Sequence, residues 1–121
     1  MRADRITAEG AEDAENRNLM RINDVCLYSE LGVLGLSFEH QVRLRVSYHG
    51  VPLDPGFRVD YLVERCVLVE IKAVEKIHPV YSAQILSYLK LTGLTVGLLI
   101  NFNVVHLRDG IRRIVNNYRE E

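Results

Sequence analysis

Residues 57–74 read FRVDYLVERCVLVEIKAV, and this stretch decides the fold. Phe57 to Val63 and Cys66 to Val74 are apolar runs rich in β-branched residues, the composition of strands. Only Glu64-Arg65 separates them, so the second run turns back and pairs antiparallel with the first. Each run carries charge where a central strand should carry none. Asp60 lies alone in the first. Glu70 and Lys72, two apart and so on one face, interrupt the second. Such charges cost free energy unless they are paired or bound. A turn at Glu64-Arg65 places opposite one another positions whose numbers sum to about 129, which brings Asp60 beside Val69 and Glu70.

Two converging carboxylates make a poor structural pair, because each raises the cost of ionising the other. They make a good site for Mg²⁺, which takes oxygen ligands, keeps several waters and is usually bound through one or two carboxylates. The Ile71 carbonyl, between Glu70 and Lys72, offers a further oxygen. A lysine beside a metal-bound water orients it or stabilises a phosphorane-like transition state. Asp60, Glu70, Ile71 and Lys72 therefore point to phosphodiester hydrolysis. The plainer alternative is a solvated strip of Glu70 and Lys72, with Asp60 bonded to Arg58 or to a backbone amide. An aspartate followed some ten residues later by Glu-x-Lys is a short pattern with many chance matches.

The flanks extend the fold. Phe38 to Tyr48 alternates, with Phe38, Val42, Leu44, Val46 and Tyr48 on one face, and predicts a half-exposed strand. HGVPLDPG (49–56) has two prolines and two glycines and predicts a turn or short loop. Before this meander, Leu19, Met20, Ile22, Val25, Cys26, Leu27, Leu31 and Leu34 recur at helical steps over 19–35. After it, Pro79 opens a helix from Val80 to Leu91 that Gly93 closes. Gln84 lies on that helix, where Val80, Ala83, Leu86 and Leu89 form the apolar face. On its own it reads as a surface amide. TVGLLIN (95–101) suits a strand buried on both faces and reached by the helical crossover. Val104 to Leu107 predicts a short fifth strand, and Ile111, Ile114 and Val115 a last helical turn. Residues 1–18 are polar and predict a flexible or loosely helical arm ahead of a single domain, 19–121.

Composition narrows the function classes. The chain has 121 residues, 48% hydrophobic and 26% charged, which fits one globular domain. No apolar run approaches the ~18–20 residues of a membrane span, and the N-terminal segment has no apolar stretch to act as a secretory signal. Cys26 and Cys66 lack metal-ligand spacing and predict buried or half-buried thiols of a cytoplasmic protein. Net charge is −1, distributed as −3 over 1–36 and +2 over 37–121. Strong nonspecific affinity for nucleic acid is not expected from so small a bias. His40, His49, His78 and His106 have no ligand partner at helical spacing and predict surface or loop histidines. Tyr81 and Tyr88 predict core or dimer surface. The sequence has no Gly-rich phosphate loop, nucleophile elbow or Cys/His cluster.

Three segments carry a resemblance: FEHQVRLRVSYHGVPLDPGFRVDYLVE, VLVEIKAVEKIHPVYSAQILSYLKLTGLTVGLLINF and LRDGIRRIV. Over residues 25–115 the chain resembles the GxxExxY family of the PD-(D/E)xK nuclease superfamily. The resemblance implies an α/β, restriction-endonuclease-like αβββαβ core, a mixed central sheet whose antiparallel meander is flanked by helices. It implies that Asp60 matches the first acid, Glu70 and Lys72 the E-x-K, and Gln84 the glutamine of the following helix. It implies Mg²⁺ or Mn²⁺ as cofactor and nucleic acid as partner. The chain departs from the family at the Gly-x-x-Glu-x-x-Tyr motif of the first helix, whose ungapped positions here hold Arg17, Met20 and Asn23. Glu15 or Asp24 would replace the lost glutamate only in another helix register. Two functions follow: a Mg²⁺-dependent nuclease, or a catalytically degenerate binding or assembly module on the same fold. Either is helped by a homodimer, since a 121-residue domain offers little surface for a duplex.

Overall fold

The structure is a computed structural model and describes residues 8–117. In chain order it has α1 (Ala8–Val33), β1 (Phe38–Tyr48), β2 (Val51–Val63), β3 (Val67–Lys72), α2 (Pro79–Thr92), β4 (Val96–Asn101), a 3-10 turn at Leu107–Gly110 and β5 (Ile111–Val115). The strands form one mixed sheet in the order β1-β2-β3-β4-β5. Only the β3/β4 pair is parallel, and α2 is its crossover. The expected αβββαβ order is present, with one strand added.

Each face of the sheet has its own core. On one, Leu31 with partly buried Met20 and Leu27 of α1 pack on Tyr61, Val69, Ile71 and Ile100. On the other, Ile85 and Leu89 of α2 pack on Val59, Leu68 and Leu99. Leu99 and Ile100 thus bury opposite faces of β4, as its continuous apolar sequence requires. Among the described residues no helix is long and apolar enough to cross a membrane.

Several expectations need correction. The segment expected to be a loop at 49–56 is strand from Val51. The turn is His49-Gly50 alone, with φ of 50° and 78°. Two left-handed residues in succession match the twist of the flanking strands and close the tightest hairpin. Pro52 is tolerated because β2 pairs with β3 only from Tyr61 to Val63, so its earlier half is hydrogen-bonded on the β1 side alone. The expected helical turn at 111–115 is β5, pairing antiparallel with β4, and Val104 to Leu107 forms no strand. The sheet edge offers Ile-Arg-Arg-Ile-Val a ladder that a lone helical turn lacks. Gly110 allows the approach, since a Cβ there would lie 2.0 Å from the Asn101 carbonyl oxygen. Both cysteines are exposed, Cys26 on α1 and Cys66 in the β2–β3 turn.

Helix α1 starts at Ala8, well before the expected Leu19, and residues 1–7 of the expected arm lie outside the described residues. Its stripe against the sheet is narrower than the sequence pattern. Met20, Leu27 and Leu31 face the core, while Ile22 and Val25 are 63% and 65% exposed. Positions 20, 24, 27 and 31 are one helical stripe, so an aspartate, Asp24, occupies a sheet-facing place.

Candidate active site

The site lies where β2 and β3 stop pairing. Their ladder runs Val63–Val67, Leu62–Leu68, Tyr61–Val69 and ends there. The next backbone donors turn to side chains. The Ile71 N–H donates to Asp60 Oδ2 at 2.8 Å, and the Asp60 N–H donates to Glu70 Oε1 at 3.1 Å. These two bonds, one from each strand's backbone to a carboxylate of the other, hold both carboxylates at the opening. The register sum is 130, one more than the sequence estimate, because the turn takes in Cys66 as well, whose N–H donates to the Val63 carbonyl at 3.0 Å. The alternative of an Asp60 bonded to a backbone amide is thus also met, and it is the same bond that fixes the carboxylate in the opening.

A second irregularity coincides with the first. Gln41 has φ of 56°, and the β1–β2 pairing skips the Gln41/Asp60 step. The two strands exchange faces there. Phe38 and Tyr61 pack on the α1 side, whereas Val42, Leu44 and Val59 pack on the α2 side. Asp60 is therefore at the crossing between the faces and feels groups from both.

On the α2 side, Glu70, Lys72, Tyr81, Gln84 and Tyr88 line one pocket floored by Ile85 and Leu99. Residues 81, 84, 85 and 88 share one face of α2. Lys72 Nζ sits 4.8 Å from the Tyr81 ring centre, a cation–π contact that holds the ammonium in the pocket. The structure thus brings Glu70, Lys72 and Gln84 together, with Asp60 bonded to Glu70 from outside the pocket lining. Tyr81 and Tyr88 are core, as expected, and site lining as well.

On the α1 side stands a cluster that the sequence reading missed. Tyr61, fully buried, donates its hydroxyl proton to the Asp24 carboxylate. His40 Nε2 lies 3.2 Å from Asp24 Oδ1, and its ring stacks on that of Tyr61 at 4.7 Å. Asp24 and His40 both act electrostatically on Asp60. His40 is exposed, as expected, and in addition it is held against Asp24 and Tyr61. The available signal was the aspartate at a core-stripe position of the first helix. One residue before Asp24, the Asn23 side chain donates back to the Leu19 carbonyl at 2.8 Å.

Burial, then the neighbouring Asp60 carboxylate, pushes Glu70 up to about 7 from an ordinary 4.5. Burial likewise raises Asp60, with Asp24 adding to the rise and the Ile71 N–H and Lys72 opposing it. Burial and the Asp24 bond raise Tyr61. The folded state holds the Glu70 proton more tightly than the unfolded chain. Stability is therefore lost as pH rises through the window from about 4.5 to about 7, by up to about 3 kcal/mol. Thermal melts of the metal-free protein across that window should show this fall, and Glu70→Gln, neutral throughout, should flatten it. An equally steep fall in the variant would place the titrating group elsewhere.

Among the described residues, no three of His, Cys, Asp and Glu converge as one metal-ligating group. Asp60 and Glu70 are a pair, and Asp24 acts on Asp60 from a distance. A family model of the PD-(D/E)XK nuclease superfamily matches residues 18–114. No curated protein and no solved structure matches the chain.

Proposed function

This chain belongs to the PD-(D/E)XK nuclease superfamily, and on that premise we propose that it is a Mg²⁺- or Mn²⁺-dependent nuclease of the GxxExxY type, hydrolysing phosphodiester bonds of DNA or RNA. The observation that carries this reading is the pair of backbone-to-carboxylate bonds at the opening of β2 and β3, Asp60 N–H to Glu70 and Ile71 N–H to Asp60, with Lys72 two residues beyond Glu70 on the same strand.

The donor set fits a hard divalent cation. It is all oxygen: one carboxylate oxygen each from Asp60 and Glu70 beyond the one a backbone N–H uses, and the Ile71 carbonyl. Burial holds both acids above their ordinary values, with the Asp60 carboxylate adding to the rise at Glu70 and Asp24 to that at Asp60, and a bound cation would offset that cost. When bound, the cation supplies Lewis acidity to the phosphate and makes a coordinated water more acidic. The protein's own groups do the rest. Lys72 places positive charge where the phosphoryl oxygens gain negative charge. Gln84, with an amide donor and acceptor, orients the attacking water. Asp24 is a positioning residue: held by Tyr61 and His40, it sets the field at Asp60 in place of the lost first-helix glutamate.

A second reading, a binding module that keeps the fold without catalysis, is favoured by Arg17, Met20 and Asn23 at the family's motif positions. Cleavage of labelled single- and double-stranded DNA and RNA with Mg²⁺ or Mn²⁺ separates the two. Metal-dependent cleavage supports the enzyme. A folded protein that binds nucleic acid without cutting it supports the module.

A further inference from the structure

The β1–β2 hairpin continues past the sheet as a two-stranded ribbon. From Val51 to Arg58, β2 is paired with β1 alone. From Val42 to the turn at His49 the ribbon is about 20 Å long. Its outer segment, 42–58, holds three arginines and one aspartate, a local excess of positive charge in a chain of net −1.

Two of these arginines are placed in a way that stability alone does not favour. Arg43 and Arg58 are directly opposed across the strands. Like charges in that relation destabilise a hairpin. Val42, Leu44 and Val59 turn to the α2-side core, so Arg43 and Arg58 alternate onto the opposite face, where both are exposed. Neither has a hydrogen bond or ion pair with a described residue. Arg65, in the β2–β3 turn, lies 3.8 Å from Glu39 of β1, so an arginine at the other end of the sheet is answered by an acid. Arg58 is two residues from Asp60, about 7 Å along the strand.

We propose that this ribbon is a grip for duplex DNA, entering the major groove and setting Arg43 and Arg58 on backbone phosphates. The proposal rests on the nuclease reading of Asp60 and Glu70. A pair of unanswered guanidiniums is complementary to adjacent phosphates, which they bind bidentately. The major groove of B-form DNA, about 12 Å wide, admits a two-stranded ribbon, while the deep, narrow groove of A-form RNA does not. Pro52 and Pro55 lie in the half of β2 that is free of β3. They remove backbone donors there, which disfavours another strand as the occupant.

The test is equilibrium binding of a labelled DNA duplex by the full chain without divalent metal, over a range of salt concentrations. In Arg43→Gln/Arg58→Gln the slope of log affinity against log salt should fall by about 2, and affinity at low salt by about tenfold or more. Arg43→Glu guards against a folding artefact. It faces Arg58 with an opposite charge, so its melting temperature should hold or rise while DNA binding weakens. An unchanged salt slope in the double variant overturns the proposal, as does RNA duplex binding equal to or tighter than DNA. Cleavage of the same duplex with Mn²⁺ tests the nuclease reading separately. A reduced slope without cleavage by the wild type supports the grip and counts against the enzyme.

Discussion

Alanine at position 72 is expected to lower phosphodiester cleavage by about 10²–10⁴-fold, the range seen when a positioned charge or proton-transfer group is removed. Among the described residues Lys72 is the one cation lining the pocket that holds Glu70 and Gln84, and the Tyr81 ring fixes its ammonium there. The fold does not depend on the side chain. Lys72 is half-buried at the end of β3, and its backbone carbonyl accepts the Phe102 N–H at 2.8 Å whatever the residue. The variant should therefore melt close to the wild type and still bind Mn²⁺, since both carboxylates remain. Arginine is no conservative substitute, because its planar fork cannot reproduce a compact ammonium over a ring. Single-turnover cleavage by wild type and Lys72→Ala checks this. Rates within a few-fold of each other would remove Lys72 from the mechanism.

The largest effect on stability is expected from Asn101→Ala. Asn101 is 4% exposed, at the end of β4 and paired with Lys72. Its side chain closes the exit of β3. The Val74 N–H donates to Asn101 Oδ1 at 3.0 Å, and Asn101 Nδ2 donates to the Val74 carbonyl at 2.9 Å. The Asn103 N–H reaches the same oxygen at 3.2 Å. Alanine leaves three backbone groups without these partners. Unmet buried groups cost about 1–3 kcal/mol each, and partial access of water reduces the sum, so a loss of about 2–4 kcal/mol is expected. Against a total near 5–15 kcal/mol that is severe. It corresponds to a fall of roughly 8–16 °C in melting temperature. A loss under about 1 kcal/mol by denaturant titration would show that the β3 exit is held by other contacts. Cleavage should fall with it, because the same bonds hold the strand end that carries Lys72.

What the sequence made legible is what depends on near neighbours. The change from helical to alternating spacing at Phe38, the turn at Glu64 and the apolar run before Asn101 each declare an element within a few residues. Hairpin register was enough to place Asp60 against Glu70, ten positions apart. Other features rest on contacts that no local pattern encodes. Tyr61 bonds Asp24 across 37 positions, and Asn101 bonds Val74 across 27. Prolines within 49–56 argued for a loop because the pattern alone does not show that one side of β2 is left unpaired. Ile111 to Val115 fits a helical turn as readily as a strand until β4 is present beside it. Asp24 was visible only as one of two substitutes for a missing glutamate. Its importance comes from lying in the stripe that packs on the sheet, a stripe narrower than the apolar pattern implied.

Titration calorimetry with Mn²⁺ on the wild type and Asp60→Ala asks whether Asp60 and Glu70 together hold a divalent cation. Saturable binding is expected of the wild type, and its loss in the variant while the fold persists. Equally weak binding by both proteins would contradict it.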